Sequence, residues 1–287
     1  VDIPSIILST IGFGGLLFGF SSAGDYGWSS PYVIVPLVIG PISLVSFILR
    51  QFQLAQPILE FRVFQNKIFT ITTVIGMIVF MGLISSETIL PIYMQKMAGF
   101  SAFETGIMIM PGALIMGMMS PLTGRIFDKI GARYLAIIGL SIMTITTFMF
   151  TNLTANTSLT YLTIVFTIRM LGMSMVMMPV TTAGLNQLPK RLIPHGTAMN
   201  NTMRQVAASI GTAILITVMT ATQLDTGAST NPNDMIRGVN IAFYVATFLT
   251  AVALVLSFYI KRSTPAEDRA RVAKTELELE KRKNRYA

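Results

Sequence analysis

The residues able to do chemistry in this chain are the few ionisable groups set inside long apolar runs. Arg169 stands near the middle of one of them, in Thr167-Ile168-Arg169-Met170-Leu171-Gly172, with no other charge between Tyr161 and Val180. A charge at the centre of a bilayer costs about 2.5 to 3.5 kcal/mol even on the lenient insertion scale, so it needs a partner, a cluster of carbonyls or a water-filled cavity. A guanidinium keeps its proton in proteins and cannot itself be a proton carrier. Arg169 would instead favour the charged form of a carboxylate brought near it, or brace the helix bundle through carbonyls. Glu87, toward the end of another run, is a candidate gate or cation-contact carboxylate, with a water-exposed boundary position as the alternative. Arg204 and Gln205 follow Asn200-Asn201 in a third run, close enough to its charged end for the Arg204 side chain to snorkel to the interface.

Other chemistries are excluded by what is missing. With 0 Cys and 1 His there is no thiolate nucleophile, no disulfide framework and no imidazole cluster for a metal, so catalytic and metal-binding residues are expected to be none, and no cofactor is implied. Gly12-Phe13-Gly14-Gly15 lacks the spacing and strand-helix context of a nucleotide loop. The net charge of +8 does not indicate a nucleic-acid partner, because 9 of the 21 Lys and Arg residues lie after residue 260 and make it a property of the tail.

What must position these groups is a set of membrane spans. Hydrophobic residues make up 52% of the 287, charged residues 12%, a balance that a water-soluble domain of this size could not cover with polar surface. Apolar runs long enough to cross a bilayer are expected at Ile3 to Gly24, up to Leu49, and at about Ile68 to Leu90, Ala102 to Thr123, Tyr134 to Phe150, Tyr161 to Val180, Thr197 to Thr222 and Val239 to Ile260. Within the first, Gly15-x-x-x-Gly19 has the spacing for close helix contact. Basic residues collect on alternate connectors, at Arg50, Arg62, Lys67, then Arg125, Lys129, Arg133, then Lys190, Arg191, against Lys96 and Arg237 on the other side. This asymmetry predicts eight helices with both ends of the segment cytoplasmic. The mixed-charge tail from Thr264, with Glu276, Glu278 and Glu280 ahead of Lys281 to Lys283, reads as a solvated or disordered segment near anionic lipid.

The most informative connector is Gly124-x-x-x-Asp128-Lys129-x-Gly131-x-Arg133, read as a ten-residue turn between two spans. Its glycines permit close helix approach and positive φ. Its cations mark a cytoplasmic face, and Asp128 can accept hydrogen bonds from a neighbouring helix N-terminus. This pattern resembles the short cytoplasmic loop motif of the major facilitator superfamily. Thr105-Gly106 through Pro111 to Pro121, Leu90-Pro91-Ile92-Tyr93-Met94-Gln95 and Asn200-Asn201-x-x-Arg204-Gln205 resemble segments of its 14-helix drug:H+ antiporters, the EmrB/QacA group. The resemblance covers about residues 1 to 260.

It implies an all-α membrane protein: residues 1–50 as a two-helix linker pair, 51–67 as a cytoplasmic connector, 68–260 as the C-terminal six-helix transporter half, and 261–287 as the tail. It also implies a preceding N-terminal half, and alternating access driven by the proton gradient, with lipophilic or cationic drugs and protons as the transported partners and no enzyme activity. An exporter of a defined metabolite, or a non-transporting scaffold or sensor, is the alternative. In the family, the Arg matching Arg169 in the other half is associated with proton coupling, although Met173-Ser174-Met175 stands where the family motif is glycine-rich. Met108, Pro111, Met116, Met173 and Gln95 are candidate pocket residues, since flexible thioethers suit a site that accepts several flat apolar molecules.

Overall fold

The computed structural model of the chain describes residues 2–54, 57, 59–224, 232–260, 270 and 274. The order is all-helical: α1 Ile3–Tyr26, α2 Pro31–Gln53, α3 Lys67–Lys96, α4 Ala102–Ile130, α5 Ala132–Met149, α6 Leu159–Leu185, α7 Ile193–Leu224 and α8 Pro232–Ser257, with three short 3-10 turns between them. Among the described residues, 8 helices are long and apolar enough to cross a membrane. The expected Thr226 to Pro232 loop, apart from Pro232, and almost all of the charged tail lie outside the described residues.

Local sequence sets the helix starts. Asn66 caps α3, its Oδ1 accepting from the backbone N–H of Ile68 and of Phe69, and Ser101 with Glu104 forms a reciprocal capping box on α4. Proline sets no helix end inside the apolar runs. The third helix was expected to stop at Leu90, yet α3 continues through Pro91 to Lys96, as α4 does through Pro111 and Pro121. In an apolar medium the backbone has no water to turn to, so a helix that loses one bond at proline keeps the rest.

The largest correction concerns the charged connector. Gly124 to Ile130 is helical, so α4 projects past Thr123 and the turn is made by Gly131 alone, at φ 78°. A single left-handed glycine suffices because α5 starts at the next residue.

The core lies where α3, α5, α6 and α8 meet, around Val79, Leu140, Met143, Phe166, Met173 and Phe243. α5 and α6 approach closely, and a Cβ added to Gly139 would stand 2.6 Å from the carbonyl oxygen of Gly172. α4 packs on α6 and leaves a face with Met110, Leu114 and Met118 exposed, while α7 packs on α3 and α8. α1 and α2 form a hairpin at the rim, Gly15 against Gly40, and its main contact with the rest is α1 on α7. There Ala23, Val33 and Ala213 cluster, and Trp28 Nε1 donates to Thr217 Oγ1 at 2.6 Å. At the other end of the hairpin, Arg50 forks onto Asp2 at 2.8 and 2.9 Å. These bonds, with one from Ser5, hold the Asp2 carboxyl down to about 2.

The connectors fall into two groups by contact. Asn66 Nδ2 donates to the Gln187 carbonyl at 3.1 Å, joining the turn before α3 to the turn after α6. At the opposite end of the bundle, Tyr93 donates to the Thr154 carbonyl, and Asn240 exchanges two hydrogen bonds with the Leu153 backbone. The basic connectors thus alternate with the sparsely charged ones in space as they do along the chain.

Candidate transport site

Arg169 is fully buried within one turn of the midpoint of α6. Its Nη2 donates to the carbonyl of Gly82, at the midpoint of α3, at 2.8 Å, and its Nε to Thr147 Oγ1 of α5 at 3.3 Å. The same carbonyl accepts from Ser86 Oγ at 2.8 Å. Among the described residues Nη1 has no hydrogen-bond partner, and the buried Ser85 hydroxyl is likewise unpaired. Among the described residues no carboxylate forms an ion pair with Arg169; the two ion pairs are Arg50 with Asp2 and Arg62 with Glu60. Within this set of helices Arg169 is thus held by one carbonyl and one hydroxyl. Glu87 is exposed, about 8 Å beyond the midpoint of the lengthened α3 at 1.5 Å per residue.

A cavity of about 390 Å³ opens between α4, α6 and α7, in the half of the bundle nearer Gly131 and Gln187. Met116, Gly117 and Ser120 line it from α4, Ser174, Met177, Met178, Thr181 and Thr182 from α6, and Arg204 from α7. Arg204 does not snorkel out of the bundle. Its Cζ lies 5.9 Å from the Phe80 ring centroid, and its Nη2 donates to Asn201 Oδ1 at 2.8 Å. Its stem passes Gly76 of α3, where an added Cβ would make ordinary contact with Arg204 Cδ at 3.7 Å.

Of the other expected site residues, Met116 reaches the cavity. Met108 and Met173 are fully buried in the core instead, because thioethers at helix crossings fill gaps there as well as in pockets. Pro111 is half-buried in α4, and Gln95 and Gln205 are exposed. In the loop motif, Asp128 and Lys129 are exposed in the last turn of α4, Arg133 is half-buried in the first turn of α5, and Gly131 is the hinge. Gly124 is an ordinary helical residue, with Met178 Cε 3.9 Å from where its Cβ would be. Asp128 makes no hydrogen bond or ion pair among the described residues, so the expected contact with a helix N-terminus is not formed within this set of helices.

The family model described as Major Facilitator Superfamily matches residues 5–212. The chain belongs to the major facilitator superfamily. The chain is 52% identical to the MFS-type transporter YcnB of Bacillus subtilis over 93% of its own length and 57% of the relative's. It is 42% identical to the lincomycin resistance protein LmrB of the same organism, covering 91% of this chain and 57% of that one. A multidrug resistance protein B homolog of Mycobacterium tuberculosis is 25% identical over 90% of this chain and 54% of its own. The chain thus spans little more than half the length of the relatives it matches.

Sequence reasoning about this facilitator missed the residues that hold Arg169 and most of the cavity wall. Ser174, Met177, Met178, Thr181 and Thr182 follow helical spacing, so a polar stripe on α6 was available as a signal. Gly82 and Thr147 carried none, because a backbone carbonyl and a lone hydroxyl have no pattern.

Proposed function

We propose that the chain is the C-terminal part of a proton-driven exporter of lipophilic compounds, in the 14-helix drug:H+ antiporter group. In this reading α1 and α2 link two six-helix halves, α3 to α8 are the second half, and the basic connectors face the cytoplasm. The observation that carries it is the amphipathic cavity between α4, α6 and α7, whose size lies in the range of drug-sized ligand pockets, roughly 300 to 1,000 Å³. It lies in the half of the bundle nearer the basic connectors, the side from which a cytoplasmic compound would enter. Relatives named for lincomycin and multidrug resistance support the substrate class. The rim position of the α1–α2 hairpin supports the linker assignment.

In this reading Arg169 has a coupling role. It holds a fixed charge at the bundle centre with one amino group unpaired among the described residues, which a carboxylate of the preceding half would meet when the helices around it part. Alternating access then follows as one half rocks against the other. The test is transport by the full-length protein in everted membrane vesicles. A pH gradient should drive uptake of lincomycin and of a lipophilic dye, and a protonophore should abolish it. Uptake that ignores the protonophore would sink the proton-driven reading, and no uptake of either compound would sink the drug-export one.

A further inference from the structure

The cavity carries information about substrate charge. Methionine thioethers of α4 and α6 supply apolar, deformable contact, and among the described residues no Asp or Glu lines the wall. Two of the four lining hydroxyls are committed as donors, Ser174 to the Leu171 carbonyl at 2.7 Å and Thr181 to the Met177 carbonyl at 2.8 Å, which leaves these two as acceptors toward the cavity. The single charged donor is Arg204. One of its amino groups is anchored on Asn201, while Nε and Nη1 have no hydrogen-bond partner among the described residues.

An aromatic face is the usual receiver of an organic cation in a drug cavity, but among the described residues no aromatic side chain lines this one. The ring near Arg204, that of Phe80, has the guanidinium 5.9 Å from its centroid. A lipophilic cation entering the cavity would meet a fixed like charge on this wall and, among the described residues, neither a carboxylate nor an aromatic face. A lipophilic molecule carrying a carboxylate or a cluster of carbonyl oxygens would meet a preorganised charged donor, the stronger kind of hydrogen bond. We infer that the Arg204 cavity selects amphiphiles whose apolar body bears an anionic or oxygen-acceptor group, and that it rejects permanent cations. This narrows the lipophilic-or-cationic expectation drawn from family resemblance, and it rests on the export reading above.

The experiment uses the full-length transporter in everted vesicles and two dansyl probes on the same alkyl chain, one ending in a carboxylate and the other in trimethylammonium. Wild type should take up the carboxylate probe in preference. Arg204→Gln should lower the carboxylate-to-ammonium uptake ratio by about tenfold or more, the worth of one charge-assisted hydrogen bond. Arg204→Lys, which keeps the charge and loses the fork, should retain most of that ratio. Because the readout is a ratio within one preparation, lower abundance of a variant does not imitate it. Wild-type preference for the ammonium probe, or an unchanged ratio in Arg204→Gln, overturns the inference and leaves drug export standing. Failure of wild type to move either probe or lincomycin overturns the export reading and the inference with it.

Discussion

Arg169 Nη2 donates to the carbonyl oxygen of Gly82 at 2.8 Å, fastening the centre of α6 to the centre of α3 through a charge that has no ion-pair partner among the described residues. Such a charge is a cost to the fold. Replacing a buried ionic group with an apolar one of similar volume is often neutral or stabilising by about 1 to 4 kcal/mol.

Arg169→Met should therefore insert normally and unfold in detergent at or above the wild-type temperature. The Gly82 carbonyl keeps its bond from Ser86, so little is orphaned. Proton-coupled exchange by the full-length protein should nevertheless be lost, while Arg169→Lys keeps part of it with a shifted pH optimum. Thermal unfolding and exchange measured against pH decide it. A lowered unfolding temperature with exchange intact would make Arg169 a structural brace.

Gly172→Ala should destabilise the bundle by about 1 to 3 kcal/mol, the usual cost of overpacking. Its new Cβ would stand 2.8 Å from the Gly139 carbonyl, a backbone atom that cannot swing aside. Gly14→Ala is the matched control, because nothing lies within 4 Å of its added Cβ. There the better helix propensity of Ala should leave stability unchanged or raised by up to about 1 kcal/mol. Equal unfolding temperatures for the two variants would mean that α5 and α6 can separate at little cost.

Much of this fold was legible because span length and basic-residue asymmetry are summed over many residues. All eight expected runs became helices, with ends displaced by several residues where proline or charge was read as a stop. The Gly124 to Arg133 connector failed for that reason. Charges such as Asp128 and Lys129 mark where a helix leaves the apolar medium, not where it ends. The site was less legible. Arg169 stood out because a lone charge in an apolar run is rare, but its partners are a carbonyl and a hydroxyl. Among ten methionines in α4 and α6, composition could not separate Met116 at the cavity from Met108 and Met173 in the core.

Orientation is testable with single cysteines, since the chain has 0 of its own. Ser29→Cys and Asn156→Cys, both exposed on sparsely basic connectors, should react with an impermeant thiol reagent in intact cells. Gln65→Cys and Ile130→Cys, exposed on the basic side, should react only after the cells are opened. Labelling of Gln65→Cys from outside would invert the topology.

Asp128 and Lys129 offer the sharpest comparison, because helix electrostatics and transport should pull in opposite directions. Both are exposed in the last turn of α4, where the C-terminal end of the helix dipole disfavours a carboxylate and favours an ammonium by about 0.3 to 1 kcal/mol each. On local grounds alone, Asp128→Asn should slightly stabilise α4 and Lys129→Gln should slightly weaken it. A carboxylate kept at an unfavourable helix end, with no hydrogen bond or ion pair among the described residues, is accounted for if it meets a helix N-terminus of the preceding half in one conformation of the transport cycle. Asp128→Asn should then cut export by the full-length protein several-fold, while Lys129→Gln changes it little, since an exposed ion contributes at most about 1 kcal/mol. Export rates at matched membrane abundance, measured alongside unfolding temperature, separate the two effects. Wild-type export in Asp128→Asn would reduce the acidic residue to a solvated turn position and leave the motif with a purely topological role.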